Sequence, residues 1–367
     1  TLTVTNSTLS DNSAVFVGGG GIYNDGESGS ATLTVTNSTI SGNSADLLGG
    51  GILNDGESGS ATLTVTNSTL SGNSATNVFF GVGGGIVNIG ESGSATLMVT
   101  NSTFSGNSAG NVGGGIVNDG SFGGSATLEI GDTILNAGAS GENIFNDSGT
   151  IISLGYNLSS DAAGGDGTTG PGGFLNVTGD IRNTNPMLGP LQDNGGPTFT
   201  HALLTGSPAI DTGDPAFDPN NFNPPLLYDQ RGNGFPRVAN GRIDIGAFEV
   251  QNSSYSAQIQ QPINPDESSV FNVRRGVVPV KFTLTLGGTA TCDLPPATIS
   301  LTRTAGGTTG DIDESVYSGP ADTGSNFRID SCQYVYNLSS SALGPGTYRV
   351  DITIDAQVVG SATFQLR

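Results

Sequence analysis

Apolar and polar residues alternate along Leu33-Thr34-Val35-Thr36, and the same alternation returns from Leu2, from Leu63 and, with Met98 in place of a threonine, from Leu97. A period of two predicts a strand with one face buried. Each run continues through Asn-Ser-Thr to a second apolar position such as Ile40, then through a glycine run to a third such as Ile52. From Asn6 to Asn37 is 31 positions, from Asn37 to Asn67 is 30, and from Asn67 to Asn101 is 34. Three short strands per repeat, with Asn-bearing corners at Asn37, Asn43 and Asn54, predict one triangular coil, and stacked coils make a parallel β-helix. A leucine-rich repeat would need a helix or its substitute opposite the strand, and no helical periodicity is present. In the stack, Leu2, Leu33, Leu63, Leu97 and Leu128 are expected to form one internal ladder, and Val4, Val35, Val65, Val99 and Ile130 a second.

The corner asparagines have a structural explanation. Asn tolerates left-handed backbone, and its amide can bond to the Asn one coil away. The same residues write glycosylation sequons at Asn6, Asn37, Asn67 and Asn101, but the corner role accounts for every copy. The glycine runs Gly18 to Gly21 and Gly83 to Gly85 lack the strand-to-helix setting of a phosphate loop, so close packing of coils explains them. With its glycine-glycine-X-isoleucine and asparagine-ending motif, matched by Gly50-Gly51-Ile52-Leu53-Asn54, the region to about residue 160 resembles the polymorphic outer-membrane-protein class of β-helix repeats. That resemblance implies an exported surface protein and no particular chemistry.

Beyond Asp161 the repeat gives way to a Gly-rich linker. There follow Asn185-Pro186-Met187-Leu188-Gly189-Pro190, Gly206-Ser207-Pro208-Ala209-Ile210-Asp211, Asp229-Gln230-Arg231-Gly232 and Asp244-Ile245-Gly246-Ala247-Phe248-Glu249. These motifs resemble the choice-of-anchor Q domain, which implies export and attachment to a surface. A β-helix end exposes unpaired backbone and a bare apolar column, so residues 183–250 are expected to cap the end of the β-helix of residues 1–182. From about Tyr255 the chain turns to strand-like runs such as Val277–Leu284, Tyr334–Leu338 and Thr347–Ile352, which predict an immunoglobulin-like sandwich over residues 251–367. Pro279, Lys281 and Phe282, with the later Gly346-Thr347-Tyr348, make this segment similar to the PxKF domain, an accessory module of exported proteins. The fold class expected is therefore all-β: a right-handed parallel β-helix of about 30 residues per coil with a C-terminal cap, then a β-sandwich.

Composition narrows the functions. The 367 residues carry a formal charge of -21, and no Lys or Arg precedes Arg182. Nucleic-acid binding needs phosphates neutralised by Lys and Arg, so nucleic acid is excluded as a partner and divalent cations are the natural counter-charge. The chain opens without a charged n-region and apolar h-region and has no run long enough to cross a bilayer, which reads as a mature or trimmed soluble piece. The two cysteines, Cys292 and Cys332, lie 40 positions apart. They are read as one disulfide in an oxidising, extracellular or cell-surface setting, with two buried free thiols as the alternative.

The coils contain no Arg or Lys to serve as the base of a pectate-type lyase. Their acids, Asp25 with Glu27, Asp55 with Glu57, and Glu91, recur because the repeat recurs, unlike the singular carboxylate pair of a glycosidase. No catalytic residue is therefore assigned, and His201, the only histidine, is read as structural. The five acids are candidate Ca²⁺ ligands, since oxygen-rich loops suit that ion; solvated loops without metal are the simpler reading. The outward pairs Thr3/Thr5, Thr34/Thr36 and Thr64/Thr66 form an array that could face ice, interrupted by Met98 and Glu129. Because Thr1 begins inside a strand, Leu2, Val4, Leu9 and Ile22 are expected to be exposed at the first coil and to pair head to tail with another copy, building a filament or matrix. The alternatives are a monomeric adhesin or a binder of cell-surface polysaccharide, and after them a polysaccharide-degrading enzyme or an ice-binding protein.

Overall fold

The computed structural model describes residues 1–15, 18–239, 241–251, 255–286, 289–292, 294–307, 309–312, 322, 324–354 and 357–367. The chain divides into two compact units, Thr1–Gln251 and Asn252–Arg367.

The first unit is a parallel β-solenoid of about 5 turns with about 31 residues per turn. Its first sheet stacks Leu2–Thr5, Ser30–Thr36, Ser60–Thr66, Ser94–Thr100, Ser125–Gly131 and Thr150–Gly155. The register matches the expected ladders: Leu33 pairs with Leu2 and Leu63, Leu97 with Leu63 and Leu128, and Val65 with Val35 and Val99. Leu33, Val35, Leu63 and Val65 are fully buried, so the alternation does set one face inward. The second sheet begins its coils at Thr8, Thr39, Thr69, Thr103 and Ile134. The third stacks Ile22–Asp25, Ile52–Asp55, Ile86–Ile89, Ile116–Asp119 and Ile144–Asp147.

The corners behave as the asparagines predict. Asn6, Asn37, Asn67 and Asn101 all have φ near +50°, between 49° and 51°. The other two corners carry amide ladders, Asn43 to Asn73 at 3.0 Å and Asn54 to Asn88 at 2.7 Å among them. Each satisfies buried polar groups that an apolar residue there could not. Close packing fixes the glycines: a Cβ on Gly84 would stand 2.3 Å from the carbonyl oxygen of Ser108 in the next coil.

The closure of the stack departs from expectation. Ala163 and Leu175 are buried in the same aliphatic column as Leu135 and Ile144, with Phe174 packed against it. Arg182, the first cation of the chain, is buried beneath them and donates to the carbonyls of Gly170, Ala162 and Asp166. The segment read as a Gly-rich linker therefore closes the end, and residues 183–250 do not. They run as a lateral strap along the corner between the first and second sheets. Thr39 Oγ1 donates to Phe199 O at 2.6 Å, Asn67 Nδ2 to Tyr228 O at 3.1 Å, and the Ala247 amide to Thr103 Oγ1 at 3.0 Å. Ile134, Leu158, Leu203, Ala209, Ile245 and Phe248 form its apolar seam. The physical reason lies in the outward row of the second sheet, which changes from Thr39, Thr69 and Thr103 to Ile134: an apolar outward residue needs a cover, and the strap supplies one.

The second unit is a two-sheet sandwich, antiparallel except for the edge pair Ser269–Phe271 with Phe364–Leu366. Strands Val277–Leu286 and Gln333–Ser339 face Ala297–Ala305 and Gly346–Ile354 across a core that contains Val280, Phe282, Tyr334, Tyr348 and Val350. Phe282 stacks on Tyr334 with ring centroids 4.4 Å apart. Cys292 and Cys332 form a disulfide with Cα atoms 5.0 Å apart, which fits a non-reducing setting. No helix among the described residues is long and apolar enough to cross a membrane.

Candidate functional site

The strap makes a concave surface against the solenoid. Its loop 214–226 rises over the outward face of the first sheet, where Thr34, Thr36, Thr64, Thr66 and Thr100 present their side chains between the inward aliphatics. A cavity of about 250 Å³ lies between this threonine floor, with Met98, and a wall formed by Phe222, Asn223, Pro224 and Leu226. A second cavity of about 170 Å³ adjoins it across Thr100, Asn221 and Phe222, and is lined by Asn101, Asp132, Leu154, Asp214, Phe217 and Asp218. Phe217 and Phe222 lie with ring centroids 5.7 Å apart and make the apolar side of the second cavity. The strands place the floor by simple alternation, and the Asp218 carboxylate, accepting from the Asn220 amide at 2.9 Å, caps the short turn Pro219–Asn221 that carries the wall.

Asp132 occupies the corner where the earlier coils have Asn, with φ of 48°. Its carboxylate accepts from the Asp214 amide at 2.8 Å and its carbonyl from the Gly246 amide at 2.9 Å. Burial pushes its pKa up to about 7, against the lowering effect of that bond and of Arg237. The same loop thus stands over the threonine array, so Thr34, Thr36, Thr64 and Thr66 are not the open flat face that ice binding expects.

Beneath the strap lies a buried charged centre that the sequence reading did not single out. Arg231 is held between the rings of Phe235 and Phe248, 3.9 and 3.8 Å from their centroids, and pairs with Asp229 at 2.6 Å. Asp211, Asp244 and Glu249 bring their carboxylates within 4.8 Å of one another, the one such group among the described residues. Those of Asp244 and Glu249 are taken up by backbone amides, those of Asp211 and Val250 on Asp244 and those of Asp244 and Ala239 on Glu249. Burial raises the pKa of Asp244 and of Glu249, and the nearby Arg237 opposes both shifts. A resident guanidinium and four amide donors make this a structural clasp. The segments Asp211-Thr212-Gly213, Asp229-Gln230-Arg231-Gly232 and Asp244-Ile245-Gly246 were its signal in the sequence, and they say nothing about which acids meet.

The calcium candidates are not gathered. Asp25 and Asp55 each accept the amide two residues on, at Glu27 and Glu57, both at 2.9 Å, and Asp55 also accepts from the Tyr23 hydroxyl at 3.0 Å. Burial, then Asp119 and Glu57, raises the pKa of Glu91, as expected for like charges stacked coil on coil. His201 is buried, with Nδ1 on Gly189 O at 2.7 Å and Nε2 on Ser71 Oγ at 2.9 Å. Both ring nitrogens are engaged in fastening the strap, and burial lowers its pKa, which favours the neutral ring. Of the first-coil residues, Leu2 is 51% exposed and Val4 and Leu9 are half-buried. Ile22, expected to be exposed, is buried because it points into the column shared with Leu33 and Ile52. The sequons also resolve in favour of the corner role where the strap crosses them, since Asn67 and Asn101 are buried and their threonine partners Thr69 and Thr103 hold the strap. Comparison with known proteins gave no matching family model, no similar curated protein and no similar solved structure.

Proposed function

We propose that the chain is an exported, non-catalytic binding protein that holds an extended polysaccharide along the threonine face beneath the strap. The observation that carries this reading is the pair of adjoining cavities: together they form a groove that combines rows of hydroxyls with an aromatic wall. Sugar rings offer hydroxyls for the first and an apolar face for the second, and sites for small ligands combine mostly apolar walls with a few placed polar groups. The motif resemblances in the strap and the sandwich support export, as does the disulfide. End-to-end association of copies has less support, because Ile22 is buried and Leu2 alone of the four expected residues is largely exposed.

The test is calorimetric titration of the full chain with soluble hexasaccharides, alongside Phe222→Ala. Phe222 is half-buried at the rim, so its removal is expected to weaken binding about tenfold, in line with the value of an aromatic contact plus its buried area, with little change in melting temperature. Absence of binding by every saccharide class would refute the reading. New reducing ends appearing during the titration would refute its non-catalytic part.

A further inference from the structure

The smaller cavity holds something that groove shape alone does not explain. Asn101 lines it and is 1% exposed, yet neither its carboxamide oxygen nor its nitrogen has a hydrogen-bond partner. One coil away, Asn67 donates to Asn37 at 2.8 Å. The ladder breaks between Asn67 and Asn101, where Asn67 Oδ1 is left without a partner as well, and Asp132 at the next corner gives no hydrogen bond to Asn101 Oδ1. A buried amide with both bonds unmade is costly, and a ligand that both donates and accepts removes that cost.

Charge narrows the ligand. Asp132, Asp214 and Asp218 line the cavity, and no Lys or Arg lies among its lining residues. The nearby cations Arg237 and Arg242 lie outside that lining: buried Arg237 donates through Nη2 to the Asp244 and Gly246 carbonyls, with its Nε and Nη1 unpartnered, and Arg242 donates to the carbonyls of Gly213 and Thr212. The three carboxyl groups are not drawn together around one point as the Asp211, Asp244 and Glu249 group is, so their spacing suits a ligand larger than a metal ion. Phe217 and Phe222 supply the apolar wall.

We infer that this cavity is a subsite for a sugar unit with a free amino group, a 2-amino-2-deoxyhexose within a chain laid along the threonine groove. The inference rests on the polysaccharide reading above and deepens it. The ammonium meets the carboxylates of Asp214 and Asp218, ring hydroxyls donate to and accept from Asn101, and the C–H face of the ring lies on Phe222. A uronic acid is excluded by like charge.

The full chain is titrated with hexamers of glucosamine, of N-acetylglucosamine and of glucose, and with a hexauronate, at two salt concentrations. The glucosamine hexamer is expected to bind at least about tenfold more tightly than the neutral ones, as a charge-assisted hydrogen bond allows. The variant Asp214→Asn/Asp218→Asn is expected to abolish that advantage and leave the neutral hexamers unchanged. Asn101→Gly keeps the left-handed corner, at φ 49°, and is expected to weaken the glucosamine hexamer about 5- to 10-fold with no fall in melting temperature. Equal affinity for the charged and neutral hexamers, or preference for the uronate, would overturn the subsite and leave the polysaccharide reading standing; binding of none would remove both. An advantage that survives the double variant would be general attraction to a chain of net charge -21, and would overturn the subsite too. So would an Asn101→Gly variant that melts lower and binds unchanged.

Discussion

Gln230 is the residue on which the lateral strap depends most, and Gln230→Ala is its test. Its side chain is fully buried between strap and solenoid. Its oxygen accepts from Thr69 Oγ1 at 2.6 Å, while its nitrogen donates to Thr39 Oγ1 at 2.9 Å and Thr198 Oγ1 at 3.0 Å. Truncation leaves the Thr69 hydroxyl, which is buried, without its acceptor. At about 1 kcal/mol net for each of the three bonds, plus about 1–3 kcal/mol for a buried group left unmade, the loss is about 4–6 kcal/mol. For a unit of this size that lowers the melting temperature by about 8–24 °C if the unit melts as one. Hydrogen exchange resolved by peptide is the sharper assay, since a strap can open without global unfolding. Exchange is expected to rise in the strap peptides spanning 196–203 and 226–233 and at the strands beginning at Thr39 and Thr69. Residues 161–182 and the sandwich unit should be unaffected. Faster exchange confined to 161–182 would mean that residues 183–250 cap the end after all, and the lateral strap would be wrong.

Three further outcomes are expected. Val65→Asp buries a carboxylate between Val35 and Val99 at a cost of several kcal/mol and should abolish folding of the solenoid, whereas Thr66→Asp, on the outward face, should fold with a normal circular-dichroism spectrum and lose saccharide binding. Asp132 keeps its proton to about pH 7 in the folded state against about 4 when unfolded, so the folded chain binds more protons between those values and stability falls as pH rises through that window; Asp132→Asn, neutral throughout, should flatten this part of the melting-temperature profile of the solenoid between pH 4 and 8. Reducing the Cys292–Cys332 disulfide should lower the stability of the sandwich unit by about 3–4 kcal/mol and leave the solenoid transition unmoved in calorimetry.

The parts of the fold that were legible in the sequence are those where one local rule decides. Alternation placed Leu33, Val35 and Val65 inward, and the repeat set their register, because identical coils can stack only in phase. The corner asparagines were legible for the same reason. What could not be read was where the irregular segments go. Leu175 and Arg182 sit in a Gly-rich stretch whose composition suggests a linker, yet one leucine over an open aliphatic column is enough to close it. The strap was assigned to the end because an end needs a cap, and the Asn-Ser-Thr repeat drew attention to its asparagine when the threonine, at Thr39, Thr69 and Thr103, also holds the strap. The groove escaped altogether, since Thr64 and Phe222 are 158 positions apart and no local pattern joins them. Asp132 was the one visible hint: an Asp where each earlier coil has Asn.

The central claim is that the threonine face and the strap loop together hold a saccharide chain, and hydrogen exchange of loop 214–226 with and without a saturating glucosamine hexamer tests it most directly. Bound sugar should slow exchange at the amides of Phe217 and of residues 220–223 and leave Leu2–Ser10, at the far coil, unchanged. Binding with no protection in that loop, or with protection centred on the first coil, would contradict the account.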